Sequence, residues 1–377
     1  MKRLSLLQPS LLCIGIAFIA SYMFNDRPVI VRHTAPTERS FTLPCEATSF
    51  MQSADGAMIW LACQDQSLRK LWESDAAEAQ RKNLSPPPPP VTSHARTDVY
   101  SLEIASGRVT PLVHASERVE IIAAPLGTKM ILVLPQERGS GLAALYDGPR
   151  RMAELPIDPS FLAWSADASK IYFYGGSTIQ SDAWNILGVL RLNGMTVSRE
   201  KLVEPTENVH VCSDSGHIFT GDSIPNRQGE LEANAVEYDS DVRFLRRITE
   251  FLPGDFSESC RYVATEQSFH GPLPWEIIEV ATGKRLLRFE YTGEGKEEEF
   301  AFGSWNPKRE DVFLRFVVQP LNSQNRVQQP LVQVFSLVKR DVLHAFSDIP
   351  GQVAWSVDGQ SLVFLRGNSL VFRTVSI

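Results

Sequence analysis

The sequence Ala354-Trp355-Ser356-Val357-Asp358-Gly359, followed by the apolar stretch Leu362-Val363-Phe364, decides the fold of this chain. A short apolar strand ends in a polar turn, and an Asp-Gly turn tolerates the positive φ of a tight hairpin. The same frame occurs at Ala163-Trp164-Ser165-Ala166-Asp167 and at Ser53-Ala54-Asp55-Gly56, and an apolar stretch again follows each copy. The frame therefore predicts a hairpin that is repeated along the chain.

The spacing of the copies predicts the architecture. Weaker copies complete a series that is marked by the residue at the serine position of each copy, namely Ser53, Ala124, Ser165, Ser213, Ser257, Asn306 and Ser356. Successive copies are 71, 41, 48, 44, 49 and 50 residues apart. All steps but the first fit a propeller blade of about 40 to 50 residues. A second apolar hairpin follows each frame, so we predict an all-β propeller of seven four-stranded blades. Because several copies are degenerate, six or eight blades remain open.

The frame resembles the repeats of TolB-like and related WD-type β-propellers, over most of the chain after about residue 45. The resemblance implies the fold and is nearly silent on function. The last copy offers only three strands, so a strand from the other terminus must complete its blade. Either Phe41–Leu43 or Val29–Arg32 could supply that strand, which would remove the open sheet edges.

The N-terminus is typical of an exported protein. Lys2 and Arg3 precede an apolar run from Leu11 to Phe24. The run is shorter than the ~20 residues that span a bilayer, but it becomes long enough when it is counted from Leu4. Residues 1–27 are therefore predicted to be a hydrophobic helix that serves as a signal-anchor, with a cleaved signal peptide as the alternative. Residues 28–377 would form the propeller on the extracytoplasmic, periplasmic side, or a secreted protein after cleavage.

An insertion at about residues 64–96 explains the long first step of the series. Leu68, Leu71 and Trp72 have helical spacing, and the segment ends in the run Pro86–Pro90. Five successive prolines predict a stiff polyproline II rod. Two interpretations stay open: an arm that docks a partner, and a solvated loop that the fold tolerates.

The cysteines outside the N-terminal segment suggest one disulfide. Cys45 and Cys63 flank the first predicted hairpin, whose turn is near Ala54–Ala57. Antiparallel partners have position numbers with a constant sum, and this pair fits the turn centre closely enough to face each other. An exported domain permits disulfides. The alternative is two small buried hydrophobic residues, and no cysteine or histidine spacing indicates a zinc site.

The remaining sequence features favour binding over catalysis. A net charge of −7 argues against a nucleic acid partner, because such binding depends on basic patches. No residue set indicates a catalytic, cofactor-binding or metal site, and Gly139-Ser140-Gly141 is not a nucleophile elbow. His210 is the candidate for a side chain lining the central channel, although a histidine there can also serve only to pack the channel wall.

We therefore predict a non-catalytic interaction module that binds a protein of the cell envelope and attaches to the membrane through its N-terminal segment. The alternative is an envelope enzyme or small-molecule binder with a site at the channel mouth. That alternative predicts charged or histidine side chains that converge from several blades. A mouth lined by apolar and small residues would count against it.

Overall fold

A computed structural model of the 377-residue chain describes the propeller blades. The described residues are 37–64, 96–115, 119–134, 142–157, 162–174, 186–203, 208–225, 231–248, 254–266, 275–289, 299–318, 331–349 and 352–377. The predicted N-terminal helix lies outside these residues, as do the strand candidate Val29–Arg32 and residues 65–95 of the insertion. Among the described residues, no helix is long and apolar enough to cross a membrane.

The described residues form seven antiparallel sheets of four strands. Strand β1 is Glu38–Thr42. Blade 1 contains β2 (Ser49–Gln52), β3 (Met58–Gln64), β4 (Thr97–Glu103) and β5 (Val109–Ala115). Blade 2 contains β6 (Glu120–Ala123), β7 (Lys129–Leu134), β8 (Leu142–Asp147) and β9 (Arg150–Leu155). Blade 3 contains β10 (Ala163–Trp164), β11 (Lys170–Tyr174), β12 (Ile186–Arg191) and β13 (Thr196–Lys201).

The remaining blades continue in the same order. Blade 4 contains β14 (Asn208–Val211), β15 (Ile218–Pro225), β16 (Leu231–Tyr238) and β17 (Phe244–Ile248). Blade 5 contains β18 (Asp255–Phe256), β19 (Tyr262–Glu266), β20 (Trp275–Glu279) and β21 (Lys284–Phe289). Blade 6 contains β22 (Glu299–Trp305), β23 (Val312–Val318), β24 (Leu331–Ser336) and β25 (Asp341–Phe346). Blade 7 contains β26 (Val353–Trp355), β27 (Ser361–Arg366), β28 (Ser369–Thr374) and β1.

The first strands of the blades surround the central axis. Strand β2 contacts β6, β10 contacts β14, and β22 contacts β26, so neighbouring blades meet along their first strands. The prediction of an all-β propeller is confirmed, and the blade count is seven. The 71-residue first step does contain an insertion, because residues 65–95 separate β3 from β4 within one blade.

The repeated frame owes its shape to one hydrogen-bonded turn. In blade 7 the Ser356 hydroxyl donates to Asp358 Oδ1 at 2.5 Å and accepts from the backbone N–H of Ser361 at 2.9 Å. The serine and aspartate of blades 1 and 3 pair in the same way, at 2.6 Å in both. The fourth residue of this turn has a positive φ in blades 1, 2, 3, 5 and 7, at Gly56, Gly127, Ala168, Cys260 and Gly359. The serine, aspartate and glycine of the repeat are therefore turn residues.

In the structure, the turn of blade 4 begins one residue earlier than the repeat predicts. The N–H of Ser53 donates to the carbonyl of Met58, five residues later, at 2.9 Å. In blade 4 the matching bond runs from Cys212 to His217, also at 2.9 Å. Cys212, rather than the predicted Ser213, therefore occupies the first position of the turn in blade 4.

The N-terminal strand closes the ring. Strand β1 is antiparallel to β28, with Phe41 opposite Leu370 and Glu38 opposite Arg373. Of the two predicted candidates for this strand, the structure uses the segment that contains Phe41. The buried Arg373 guanidinium donates to Glu38 Oε1 at 2.7 Å and to Oδ1 of Asp348, which follows β25, at 2.7 Å. Burial alone would raise the pKa of Glu38, but hydrogen bonds from Arg373 and Arg366 lower it overall.

The two cysteines of the predicted pair do not lie opposite each other in the hairpin, contrary to the expectation from the sequence. Cys45 and Cys63 form a disulfide with Cα atoms 6.1 Å apart. The ladder pairs Ser49 with Ala62, so Cys45 does not face Cys63 across the hairpin. Cys45 lies in the connection between β1 and β2 and packs against blade 1 together with Leu43 and Phe50. The disulfide therefore ties the closing segment to blade 1.

Candidate functional site at the channel mouth

A cavity of about 350 Å³ opens at one mouth of the central channel. It lies where the innermost strands of blades 4, 5 and 6 end in their frame turns, and the turn of blade 2 faces it from across the ring. The volume is within the range of small-ligand pockets. The cavity is lined by Pro125, His210, Val211, Ser213, Asp255, Phe256, Glu258, Phe302, Gly303, Ser304, Trp305 and Pro307.

The turns of blades 4 and 5 are held together beside this cavity. The backbone N–H and the hydroxyl of Ser213 both donate to the Glu258 carbonyl, each at 2.9 Å. Next to this contact, Cys212 and Cys260 form a second disulfide, with Cα atoms 5.4 Å apart. The two turns therefore carry both a covalent and a hydrogen-bonded connection, which fixes the lining residues between them.

Polar contacts also join the turn of blade 5 to blade 6, so the turns of blades 4, 5 and 6 form one arc around the cavity. The Trp305 indole Nε1 donates to the Asp255 carbonyl at 2.8 Å. The Glu310 carboxylate accepts from the Ser259 N–H at 2.6 Å and from the Ser259 hydroxyl at 2.7 Å. Three consecutive turns are thus bound to one another, and the mouth they form is preorganised.

The second disulfide could have been inferred from the repeat. Between blades 6 and 7, Asn306 at the first turn position donates through Nδ2 to the carbonyl of Gly359 at the fourth position, at 2.8 Å. Cys212 and Cys260 occupy these same two positions in blades 4 and 5. Cys260 has a φ of 56°, where glycine is preferred. A cysteine at a glycine position, one blade after a cysteine at the serine position, is the sequence signal for this disulfide.

Aromatic rings form the floor of the cavity. The His210 ring stacks on Phe256 with centroids 4.8 Å apart, and Phe302 lies 5.1 Å from Trp305. The repeated tryptophans are predicted to be packing residues between blades, and Trp164, Trp305 and Trp355 are indeed buried. That interpretation is incomplete for Trp305, which packs in the core and also lines the cavity.

Two buried polar atoms at the cavity have no hydrogen-bond partner among the described residues. They are Nε2 of His210, which lies on β14, and the hydroxyl of Ser304, which lies on β22. Burial lowers the pKa of His210 to about 4, so the imidazole is neutral at pH 7. A buried unpaired acceptor or hydroxyl costs free energy, so a ligand that supplies partners would recover it.

Carboxylates provide the charge at the mouth. Asp255 and Glu258 line the cavity, and their side chains are exposed at its rim. Partial burial raises the pKa of Glu258, the nearby Lys308 ammonium opposes that rise, and Glu310 adds to it. Among the described residues, no three His, Cys, Asp or Glu side chains are grouped to hold a metal ion. The mouth therefore combines an apolar floor, two buried polar atoms without partners among the described residues, and an acidic rim, which suits binding.

A second cavity, of about 360 Å³, lies between blades 1 and 2. Its polar groups bond to one another: Thr128 donates to Asp147 at 2.5 Å, and Arg108 pairs with Glu103 at 3.2 Å. Because these groups already have partners, this cavity offers a ligand fewer unpaired polar groups than the channel mouth does.

Comparisons with known proteins support the propeller fold, but they show no family and no function. Among solved structures, 725 chains match. One of them, from the crystal structure of the mitotic checkpoint complex, covers 100% of this chain and 99% of its own length, with a TM-score of 0.54 and 13% identity. Likeness at that identity shows the propeller fold alone. No family model matches, and no curated protein matches. The resemblance to TolB-like proteins therefore stays a prediction.

Replacing His210 by phenylalanine should change how stability depends on pH. The histidine pKa of about 4 in the folded state lies below the unfolded value of 6.5, so the unfolded chain takes up this proton first. The stability that this group contributes is present above pH 6.5 and is lost as the pH falls towards 4. The loss should be at most about 3 kcal/mol, because the pKa falls from 6.5 to about 4 and each pKa unit corresponds to about 1.4 kcal/mol.

Urea unfolding of the wild type and of His210→Phe at pH 7 and pH 4 measures this effect. The wild type should lose more stability than the variant between the two pH values. Equal losses would show that His210 titrates normally in the folded protein.

Proposed function

We propose that this chain is a non-catalytic protein-interaction module that binds a partner protein of the cell envelope at its channel mouth. The propeller fold is consistent with such a module. The observation that carries the proposal is the arc of turns around the cavity. Ser213, Trp305 and Glu310 bind neighbouring turns to one another, so a partner would meet a surface that needs little reordering.

The composition of the mouth favours binding over catalysis. Seven of its twelve lining residues are apolar or glycine, two are serines, and three are ionisable. The apolar floor supports the interaction module against an enzyme, which would need acid, base or nucleophile groups in reach of one another. A small-molecule binder stays the second candidate, because the cavity volume and the unpartnered Nε2 of His210 suit one.

Two features support a position outside the cytoplasm, with the N-terminal segment as a membrane anchor. Lys2 and Arg3 precede the apolar run Leu11–Phe24, and the propeller carries two disulfides, which persist in oxidising compartments. N-terminal sequencing of the protein from washed membranes and from the soluble fraction tests this proposal. A start at Met1 in the membranes supports an anchor, whereas a start within or beyond the apolar run in the soluble fraction means cleavage and secretion.

A pull-down from detergent-solubilised membranes tests the interaction, with the full chain as bait. A tryptophan at Pro125 would fill the mouth from the turn of blade 2, so Pro125→Trp should lose the partner that the wild type recovers. Pro149→Trp is the matched control, because Pro149 lies in the same blade on the second cavity. Failure of the wild type to recover any specific partner would argue against the module. Equal recovery by Pro125→Trp would place the binding surface elsewhere.

A further inference from the structure

Two uncharged polar groups stand unpaired inside the channel mouth. Nε2 of His210 and the hydroxyl of Ser304 are buried, belong to residues that line the cavity, and have no hydrogen-bond partner among the described residues. Burial lowers the pKa of His210 to about 4, so its imidazole is neutral at pH 7. A neutral imidazole has one N–H donor and one acceptor nitrogen, and a hydroxyl both donates and accepts. The two groups therefore suit a ligand that also donates and accepts.

Neither group offers a charge to a ligand. An ionised side chain that contacts two neutral buried groups loses its hydration without gaining a counter-ion from them, and this cost exceeds the gain from a neutral hydrogen bond. Both groups are shielded from bulk water, so a hydrogen bond to a neutral ligand replaces no hydrogen bond to water. The interior therefore favours a neutral polar ligand over an ionised or a purely apolar one.

The apolar walls around these groups favour a planar ligand. The rings of Phe256, Phe302 and Trp305 line the same cavity, and the ring centroids of Phe302 and Trp305 are 5.1 Å apart. A planar group packs against aromatic faces while the edge of its plane makes hydrogen bonds. Among side chains, the primary carboxamide is planar and neutral and carries both N–H donors and a carbonyl acceptor.

We infer that the channel mouth binds the side-chain carboxamide of a glutamine on a loop of the partner protein, an inference that rests on the proposed function. The methylene groups of the glutamine pack on the aromatic floor, and the amide bonds to the imidazole of His210 and the hydroxyl of Ser304. Glutamine fits better than asparagine because its longer stem carries the amide past the rim to the buried groups. A methionine of similar length would fill the space and leave both groups unpaired.

Peptide binding to the full-length protein tests this inference. The probe is acetyl-Gly-Gly-Gln-Gly-Gly-N-methylamide, compared with the same peptide carrying methionine, glutamate or arginine in place of glutamine. The readout is the NMR chemical shift of His210 Nε2 in protein with isotope-labelled histidine, assigned by its loss in His210→Phe. The glutamine peptide should shift this resonance and bind about fivefold more tightly than each of the others, as expected for added neutral hydrogen bonds.

Variants test the two buried groups separately. Ser304→Ala removes only the hydroxyl and should weaken binding of the glutamine peptide about threefold. Ser101→Ala is the matched control, because Ser101 is also buried but lines the second cavity. His210→Phe keeps a ring against Phe256 and removes both nitrogens, so binding, followed on the indole N–H signal of Trp305, should weaken about fivefold without a fall in Tm. Unchanged binding with a lower Tm would make His210 a packing residue only and overturn its role.

Other outcomes would overturn the inference directly. They are equal affinity for the glutamine and methionine peptides, tighter binding of the glutamate or arginine peptide, and no shift at about 10 mM glutamine peptide. Butyramide, which is the side chain of glutamine alone, tests the source of the carboxamide. If butyramide binds as tightly as the peptide does, a free small amide replaces the partner loop as the ligand, and the inference of a glutamine fails.

Pull-downs separate this inference from the proposed function. If Ser304→Ala with His210→Phe recovers the partner as well as the wild type does, the carboxamide inference fails and the module stands. If the glutamine peptide shifts the His210 resonance but the wild type recovers no partner, the module fails and the carboxamide specificity stands.

Discussion

A chain that lacks residues 1–42 is expected to lose its cooperative fold, whereas a chain that lacks residues 1–35 should keep it. The first truncation removes β1, which forms five register pairs with β28. It also removes Glu38 from the buried Arg373 and Phe41 from its contact with Phe372, whose ring centroid is 6.0 Å away. The expected cost exceeds about 5 kcal/mol, which is comparable with the whole stability of a small domain.

Thermal unfolding by circular dichroism and size-exclusion chromatography measure this effect. The longer truncation should aggregate or melt without cooperativity, because the open edge of β28 is a template for pairing with another chain. Adding a synthetic peptide of residues 36–44 in trans should restore part of the cooperative transition, which would show that the missing strand is the cause. The closing role of β1 would be refuted if the two truncated chains melted within about 3 °C of each other.

Loss of the Cys212–Cys260 disulfide is the change with the second largest expected effect. The bond closes a loop of 48 residues and joins two blades, so Cys212→Ser with Cys260→Ser should cost about 4 kcal/mol. The Cys45–Cys63 bond spans 18 residues, and its double serine variant should cost about 3 kcal/mol. Urea unfolding under non-reducing conditions measures both losses.

A second double variant tests why the bond lies at these positions. Cys212→Asn with Cys260→Gly copies the contact between Asn306 and Gly359, and glycine relieves the φ of 56° at position 260. It should recover about 1 kcal/mol relative to the double serine variant. A double serine variant within about 1 kcal/mol of the wild type would show that this disulfide contributes little. A glycine variant no more stable than the serine pair would show that the two positions are not equivalent.

The channel mouth was only partly predictable from the sequence. His210 could be placed near an innermost strand because the frame locates the strand, but nothing local showed that its Nε2 would be buried without a partner. The repeat predicts a packing role for Trp305, because this tryptophan recurs with Trp164 and Trp355, but it does not show that Trp305 also lines the cavity. The bend of β22 near Gly303, where the ladder with β23 shifts register, is not visible in the repeat. Strand irregularities of this kind aim side chains in directions that periodicity does not encode.

The amino-acid sequence by itself determined the blade. Each turn is specified by neighbours within about five residues, such as Ser356, Asp358 and Gly359, so a local pattern is enough to predict the hairpin, its repeat and the need for a closing strand. Only the tertiary structure decided which blades share a site. The disulfide between Cys212 and Cys260, the bond from Trp305 to Asp255, and the cavity they surround depend on the angle between neighbouring blades. That angle results from packing across whole sheets, which no local stretch of sequence contains.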